Sequence, residues 1–186
     1  MGTRARLAPV LLAVTIVGGL ATTTTAPAQA QPAAASSYYL KFNKSTNTNS
    51  TLSLMKSVSG PDKVIKKYRA GSGVSTNECT PSRGWLPTKT YKINNWFKTY
   101  NGSLIKGYAF RLNDTTCKNG HTRRTELFIH SEMKQNGRAG TSEATRWDGN
   151  SDYKSAGCIK LKPADIKDLY KRGKALGFPK KLVVTN

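Results

Sequence analysis

The chain has 186 residues, the length of one ordinary domain, and 37% of them are hydrophobic, which is enough for a packed core. Its formal net charge is +20, so we expect an anionic environment around it. Nucleic acid is the usual partner of so basic a chain, but no aromatic-rich nucleic-acid motif accompanies the lysines. The composition therefore indicates one basic folded domain, and nucleic acid is the weaker interpretation of its charge.

The amino-terminal segment has the pattern of a secretory signal peptide. Arg4 and Arg6 precede an apolar stretch at 7–20, and a small-residue region ends in Ala28-Gln29-Ala30. The apolar stretch is shorter than the ~20 residues that a membrane-spanning helix needs. We predict cleavage after Ala30, an exported protein of the cell wall, and no membrane span after cleavage.

Export changes the interpretation of the positive charge. The carboxylates and phosphate polymers of a bacterial wall fit an exported basic protein better than nucleic acid does, so we predict anionic wall polymers and no nucleic acid as partners. We predict a signal peptide at 1–30, a short Ala/Pro/Ser-rich tether at 31–37 and one folded domain at 38–186. The oligomeric state stays open.

Three cysteines are an odd number for an exported chain, so one is expected to stay unpaired. Cys158 lies in a glycine-flanked turn before the strand-like run 159–161, whereas Cys79 and Cys117 lie in polar, loop-like segments. We therefore predict a disulfide between Cys79 and Cys117 and a free thiol at Cys158. Cys117 and His121 would form only half of a zinc site, so no metal and no cofactor are expected.

The predicted secondary structure is mostly strand. One helix is expected after the cysteine run, because Pro163 suits a first helical position and Ile166, Leu169 and Tyr170 recur on one face before Gly173. The rest predicts a mainly β, sandwich or barrel-like domain with one or two short helices, in which this helix packs behind the cysteine strand. The strand-like runs, rich in β-branched or aromatic residues, are 38–42, 51–55, 63–68, 91–93, 105–112, 126–130 and 182–184.

A long polar segment, 131–154, separates His130 from Ser155. Loops of this length inside compact domains are usually binding loops, lids or disordered segments. Trp147 and Tyr153 within it favour a lid that faces the substrate.

Cys158 and His130 are candidates for covalent catalysis. A thiol near its ordinary pKa of about 8.5 is mostly protonated at neutral pH, so a nucleophilic cysteine needs a nearby imidazole or helix N-terminus. His130 ends a strand-like run and can supply the imidazole. Gly157 lets the backbone bend, so that its amide and that of Cys158 can hold an oxyanion, and Ser155 would orient the site by a hydrogen bond.

These residues resemble the L,D-transpeptidase catalytic domain of the YkuD-like family. The family signature is a strand ending in His followed by Gly or Ser, and then Ser-x-Gly-Cys-hydrophobic-Arg-Leu. The resemblance spans roughly residues 52–170, and residues 80–93 look like the family's Thr-Pro-x-Gly segment and Tyr-x-Ile strand. The matching stretches are Phe128-Ile129-His130-Ser131, then Ser155-Ala156-Gly157-Cys158-Ile159-Lys160-Leu161, then Asp165 and Leu169-Tyr170.

The resemblance implies an enzyme that acts on peptidoglycan stem peptides. Cys158 would form a thioester with the third stem residue, and His130 would move the proton. An amine of a second stem would then make a 3-3 crosslink, whereas water would make the same site an L,D-carboxypeptidase. A non-catalytic cationic wall-binding protein and an exported toxin or inhibitor remain as other interpretations.

Lys160 departs from the family pattern, which usually has arginine there. Lysine keeps the charge but loses the planar fork that holds a carboxylate with two hydrogen bonds. We expect Lys160 either to hold a substrate carboxylate or to brace the cysteine loop. Ser131, which replaces the more frequent glycine, is the other expected substrate contact beside Trp147 and Tyr153.

Overall fold

Eight strands close into a barrel in the part of the chain that the structure describes, residues 37–186 of a computed structural model. The predicted signal peptide and all of the tether except Ser37 lie outside the described residues. The elements are β1 (Tyr38–Asn43), β2 (Ser50–Lys56), β3 (Lys63–Ser72), β4 (Thr90–Asn101), β5 (Lys106–Leu112), β6 (Thr115–Thr116), β7 (Arg123–Arg124), β8 (Phe128–His130), a 3-10 helix (Ser151–Tyr153), β9 (Ile159–Lys160), α1 (Pro163–Ala175) and β10 (Lys181–Thr185).

The barrel order is β1-β10-β4-β5-β8-β9-β3-β2, and β6 and β7 form a separate two-stranded sheet. The β1–β10 and β8–β9 pairs are parallel, and the other neighbours are antiparallel. The prediction of a mainly β fold with a short helix is confirmed, and the arrangement is a closed barrel. Closure pairs the edges that an open sheet would leave exposed.

The core forms because inward positions alternate with polar outward positions along the strands. Leu40 and Phe42 of β1 and Leu52 and Leu54 of β2 are fully buried. Full burial of each such side chain stabilises the fold by about 1.5–3 kcal/mol relative to exposure. The large side chains of the barrel interior therefore supply most of the driving force for folding.

Helix α1 covers part of this core. Ile166 and Leu169 belong to the same buried cluster as Ile159 and Leu161, the residues that follow Cys158 in the chain. Gly173 lies against the ring of Trp96 on β4, where a larger side chain would overlap the indole. The helix thereby fixes the inner side of the segment that carries the cysteine.

The predicted disulfide between Cys79 and Cys117 is present. It joins the loop before β4 to the β6–β7 unit across a sequence separation of 38, which in the chain-entropy model stabilises the fold by roughly 3–4 kcal/mol. Cys158 is a free, buried cysteine. Among residues 37–186, no helix is long and apolar enough to cross a membrane.

Candidate active site

A pocket of about 660 Å³ opens on the outer face of strands β8 and β9, and both Cys158 and His130 line it. Strand β8 alternates across the barrel wall, so that Ile129 lies in the core while Phe128 and His130 lie on the outside. Phe128 and Cys158 belong to a second, small apolar cluster. The sequence-predicted nucleophile and base therefore share one surface.

The β8–β9 pairing sets the distance between the two candidates. The strands run parallel, with Ile129 opposite Ile159 and His130 opposite Lys160. Cys158 comes two residues before Lys160, and two residues of a strand span about 6.6 Å. His130 and Cys158 thus occupy successive positions on one face.

Ser155 makes three hydrogen bonds in and beside the cysteine loop. Its hydroxyl donates to the Cys158 carbonyl at 2.7 Å and accepts from the Gly157 amide at 3.0 Å. It also accepts from the Gly73 amide at 2.9 Å, which ties the loop to the end of β3. One side chain thus satisfies three backbone groups and fixes the turn that presents the thiol.

The amide of Gly157 already donates a hydrogen bond to the Ser155 hydroxyl. It is therefore not free for the oxyanion-binding role that the sequence predicted. Gly157 has φ +129°, a backbone conformation that residues other than glycine rarely adopt. The Cys158 amide makes no hydrogen bond to any residue from 37 to 186. The structure therefore leaves the Cys158 amide, and not the predicted pair, to stabilise an oxyanion.

The thiol of Cys158 lies among backbone groups. Its Sγ accepts from the Phe128 amide at 3.4 Å and donates to the Glu126 carbonyl at 3.6 Å. Burial raises the pKa of Cys158 to about 11, in spite of the Phe128 amide and of nearby cations. The resting thiol is therefore protonated at neutral pH.

His130 is a neutral base in this site. Its Nδ1 lies 3.1 Å from the Ser131 carbonyl, which can only accept, so Nδ1 carries the proton and Nε2 keeps a free lone pair. Burial, reinforced by the charge of Lys160, lowers the pKa of His130 to about 3. Such an imidazole can take a proton from the thiol during the reaction.

We expect alkylation to report this charge state. Iodoacetamide should modify the oxidised protein at Cys158 alone, because Cys79 and Cys117 are bridged. The rate should rise about tenfold per pH unit between pH 7 and 10, because the thiolate fraction grows tenfold per unit below the pKa. Peptide mass spectrometry after timed quenching measures both. A second modified cysteine, or a rate already level at pH 7, would contradict this assignment.

Lys160 is buried and forms an ion pair with Glu132, where the sequence left open a contact with substrate or a bracing role. The two side chains are only 8% and 13% exposed. Glu132 follows His130 by two residues, so this pair connects the strand that carries the base to the strand after the nucleophile. The geometry favours a role in bracing the cysteine loop, because the Lys160 ammonium group is already paired with the Glu132 carboxylate.

Breaking this pair should cost stability. Lys160→Ala leaves a buried carboxylate without its partner, so we expect the free energy of unfolding to fall by about 3–5 kcal/mol and the Tm to fall on the order of 10 °C. Exposed Lys162→Ala is the matched control, with no expected change. Calorimetry measures both variants. An unchanged Tm with a raised KM would show instead that Lys160 binds a substrate carboxylate.

Three predicted substrate contacts lie elsewhere. The pocket is not lined by Ser131, Trp147 or Tyr153. The Ser131 side chain is buried, and what reaches His130 is its carbonyl. Trp147 packs edge-on against Tyr153 with ring centres 4.9 Å apart, and Arg69 lies over Tyr153 at 4.3 Å. These aromatic rings anchor the long segment against β3, so we correct their expected role as a substrate-facing surface.

Several residues that line the pocket were not predicted from the sequence. Glu132, Glu143 and Ala144 come from the long segment 131–154, so part of that segment does reach the pocket. The opposite wall is the β4–β5 hairpin, in which Leu104 is 76% exposed. Strand β4 runs on to Asn101, past the predicted 91–93, and the aromatic residues at 96, 97 and 100 were the available signal for that extension.

Comparisons with known proteins agree with the fold described above. The family model described as "L,D-transpeptidase catalytic domain" (YkuD) matches residues 38–181. A search of curated proteins found no match. Bd1075 of Bdellovibrio bacteriovorus is a similar solved structure, with 16% identity and a TM-score of 0.51, covering 81% of this chain and 48% of that one.

The cell shape determining protein Pgp2 of Campylobacter jejuni is similar at 14% identity and a TM-score of 0.54, again over 81% of this chain and 48% of the other. The chain thus spans about half the length of both structures. At such identities the likeness concerns the fold. The family model covers most of the chain, and the chain therefore belongs to the L,D-transpeptidase catalytic domain family.

Proposed function

We propose that this chain is an exported cysteine L,D-transpeptidase that acts on peptidoglycan stem peptides. The observation that carries the proposal is that Cys158, a free cysteine, and His130, a neutral imidazole, line one pocket in a chain of this family. Ser155 fixes the loop that presents the thiol. Each group that a thioester mechanism requires therefore lies on the same face of the barrel.

In the first half-reaction, Sγ of Cys158 attacks the carbonyl carbon of the third residue of a stem tetrapeptide. The thiol proton passes to Nε2 of His130 and then to the nitrogen of the terminal D-alanine, which leaves as the amide bond breaks. The product is a thioester on Cys158. Because thiol and imidazole both rest neutral, the proton moves while the new bond forms and not beforehand.

In the second half-reaction, a side-chain amine of another stem attacks the thioester. His130 removes a proton from the amine and returns it to the sulfur, which leaves as the thiol. The result is a 3-3 crosslink. Water in place of the amine gives a tripeptide, so the same acyl-enzyme supports carboxypeptidase activity when no acceptor is bound.

The basic surface supports contact with anionic wall polymers. Strands β1, β2, β3, β4 and β10 contain no acidic residue. Lys67, Lys92 and Lys181 on three of these strands are exposed, and Lys41 on β1 is half-buried. This part of the barrel is centred across from β8, so polymer binding there leaves the pocket open to stem peptides.

Digestion of purified sacculi tests the proposal. Sacculi rich in tetrapeptide stems are incubated with the oxidised protein or with Cys158→Ala, and the muropeptides are identified by mass. We expect 3-3 crosslinked dimers and free D-alanine only with the intact thiol. Tripeptides without dimers would identify an L,D-carboxypeptidase, and sacculus binding without new products would identify a non-catalytic wall-binding protein.

A further inference from the structure

Arg124 on β7 is a buried cation that neither the motif nor the proposed mechanism uses. It is only 3% exposed, yet it makes no ion pair with an acidic side chain within residues 37–186. Its guanidinium donates instead to four main-chain carbonyls, which are those of Glu78, Gly84 at 2.9 Å, Trp85 at 3.2 Å and Ala156 at 3.2 Å.

These contacts connect two segments that are far apart in sequence. Residues 78–85 form the loop that the Cys79–Cys117 disulfide ties down, and Ala156 lies in the cysteine loop. The planar guanidinium donates to three carbonyls of the 78–85 loop and to one carbonyl of the cysteine loop. A lysine ammonium could not reach both loops in one plane. Arg124 therefore fixes the cysteine loop to the disulfide-anchored loop.

Gly157, the residue before Cys158, lies directly against this guanidinium. A Cβ built on Gly157 would overlap the Arg124 side chain, and it would also lie 3.1 Å from the Gly84 carbonyl. The glycine of the Ser-x-Gly-Cys element is thus required here by contact with Arg124 as well as by its backbone conformation.

The other cations near Cys158 each have an ion-pair partner. Lys160 on β9 pairs with Glu132, and Arg111 on β5 pairs with Asp114 and Glu126. Arg124 has only neutral carbonyl partners, and the nearby Glu78 carboxylate pairs with Lys44, so Arg124 is the one of the three that has no ion pair within residues 37–186. From β8 the thiol meets the neutral His130 and the Phe128 amide, neither of which supplies a full charge.

We propose that Arg124 is the positioning residue of the candidate active site, holding the cysteine loop through the carbonyl of Ala156 and supplying the uncompensated positive charge beside Cys158. Such a charge stabilises the thiolate and the oxyanion that would form on attack. Lys160 and, to a lesser extent, Arg124 both oppose the effect of burial on the pKa of Cys158, and of the two only Lys160 is paired with a carboxylate. Only the part that concerns the oxyanion rests on the proposed function.

The test is substrate-free alkylation of Cys158 by iodoacetamide between pH 7 and 10, followed by intact mass. Arg124→Gln keeps hydrogen-bond donors but removes the charge, and we expect it to react about tenfold more slowly at each pH, which corresponds to a rise of roughly one pKa unit. Arg124→Lys keeps the charge but cannot hold both loops, so its rate should fall between those of Arg124→Gln and wild type. Exposed Arg83→Gln, in the same disulfide-anchored loop, is the control and should not change the rate.

The double variant Lys160→Met/Glu132→Gln removes the neighbouring ion pair as a unit, and we expect its alkylation rate within about twofold of wild type. A tenfold loss in this variant would overturn the proposal even if Arg124→Gln did not fold, because Lys160 would then be the cation that serves the thiolate. A wild-type rate in folded Arg124→Gln would overturn it directly. Since no substrate is used, these outcomes do not depend on whether the chain crosslinks peptidoglycan.

Discussion

Replacing Cys158 with alanine should abolish acyl transfer while leaving the fold nearly intact. The proposed acyl-enzyme is a thioester on this sulfur, so the alanine variant lacks the atom that would carry the acyl group. The loss of stability should be small, about 1 kcal/mol or less, because the thiol makes only two long hydrogen bonds to backbone groups. Muropeptide mass spectrometry and thermal melting measure the two effects.

Intact mass with a carbapenem provides a second readout for the same variant. The family resemblance implies that the drug acylates the nucleophile, so its mass should be added to the wild-type protein and not to Cys158→Ala. Turnover by the alanine variant at a comparable rate would exclude covalent catalysis by Cys158. A melting temperature that falls by tens of degrees would instead mean that the residue is structural.

Replacing His130 with glutamine should slow acylation by roughly 10²–10⁴-fold, the contribution of a positioned proton-transfer group. Glutamine is close in size and retains a donor for the Ser131 carbonyl, but it cannot accept the thiol proton. His121→Gln is the matched control, because His121 is exposed in the turn between β6 and β7 and does not line the pocket. Single-turnover acylation rates are measured for both variants. If His121 were essential and His130 dispensable, the assignment of the active site to this pocket would be wrong.

The same substitution should change the acid stability of the protein. The pKa of His130 is about 3 in the fold against an ordinary value of 6.5, so the unfolded chain takes up the proton first as the pH falls. The stabilising contribution of the neutral histidine is therefore fully present above pH 6.5 and is lost progressively toward pH 3. Thermal melts of His130→Gln should show a weaker fall in Tm across this window than wild type does.

The sequence predicted the parts of the molecule that depend on local pattern. Alternation along 38–42 and 51–55 predicted β1 and β2, and Pro163 with its apolar face predicted the start of α1. The Ser-x-Gly-Cys element and the strand ending in His130 predicted which residues meet in one pocket. These features are short-range, so periodicity and motif spacing are sufficient to find them.

What the sequence missed depends on contacts between distant segments. Nothing local distinguishes Glu132 as the partner of Lys160, or the backbone carbonyls that surround Arg124. Trp147 and Tyr153 illustrate the opposite error, because an aromatic pair in a long loop suits a binding surface and a packing anchor equally well. Only the tertiary fold decides between those roles.

The position of β10 in the barrel has a consequence for how the chain folds. This strand, Lys181–Thr185, lies between β1 and β4, parallel to the first and antiparallel to the second. Without it, those two strands have no partner on one side, and the ring of backbone hydrogen bonds stays open. Pairings between such distant segments form slowly, because the intervening chain must first give up its entropy. Closure of the barrel therefore has to wait for the last strand in the chain, and until then β1 and β4 each present an open edge to which another chain could pair.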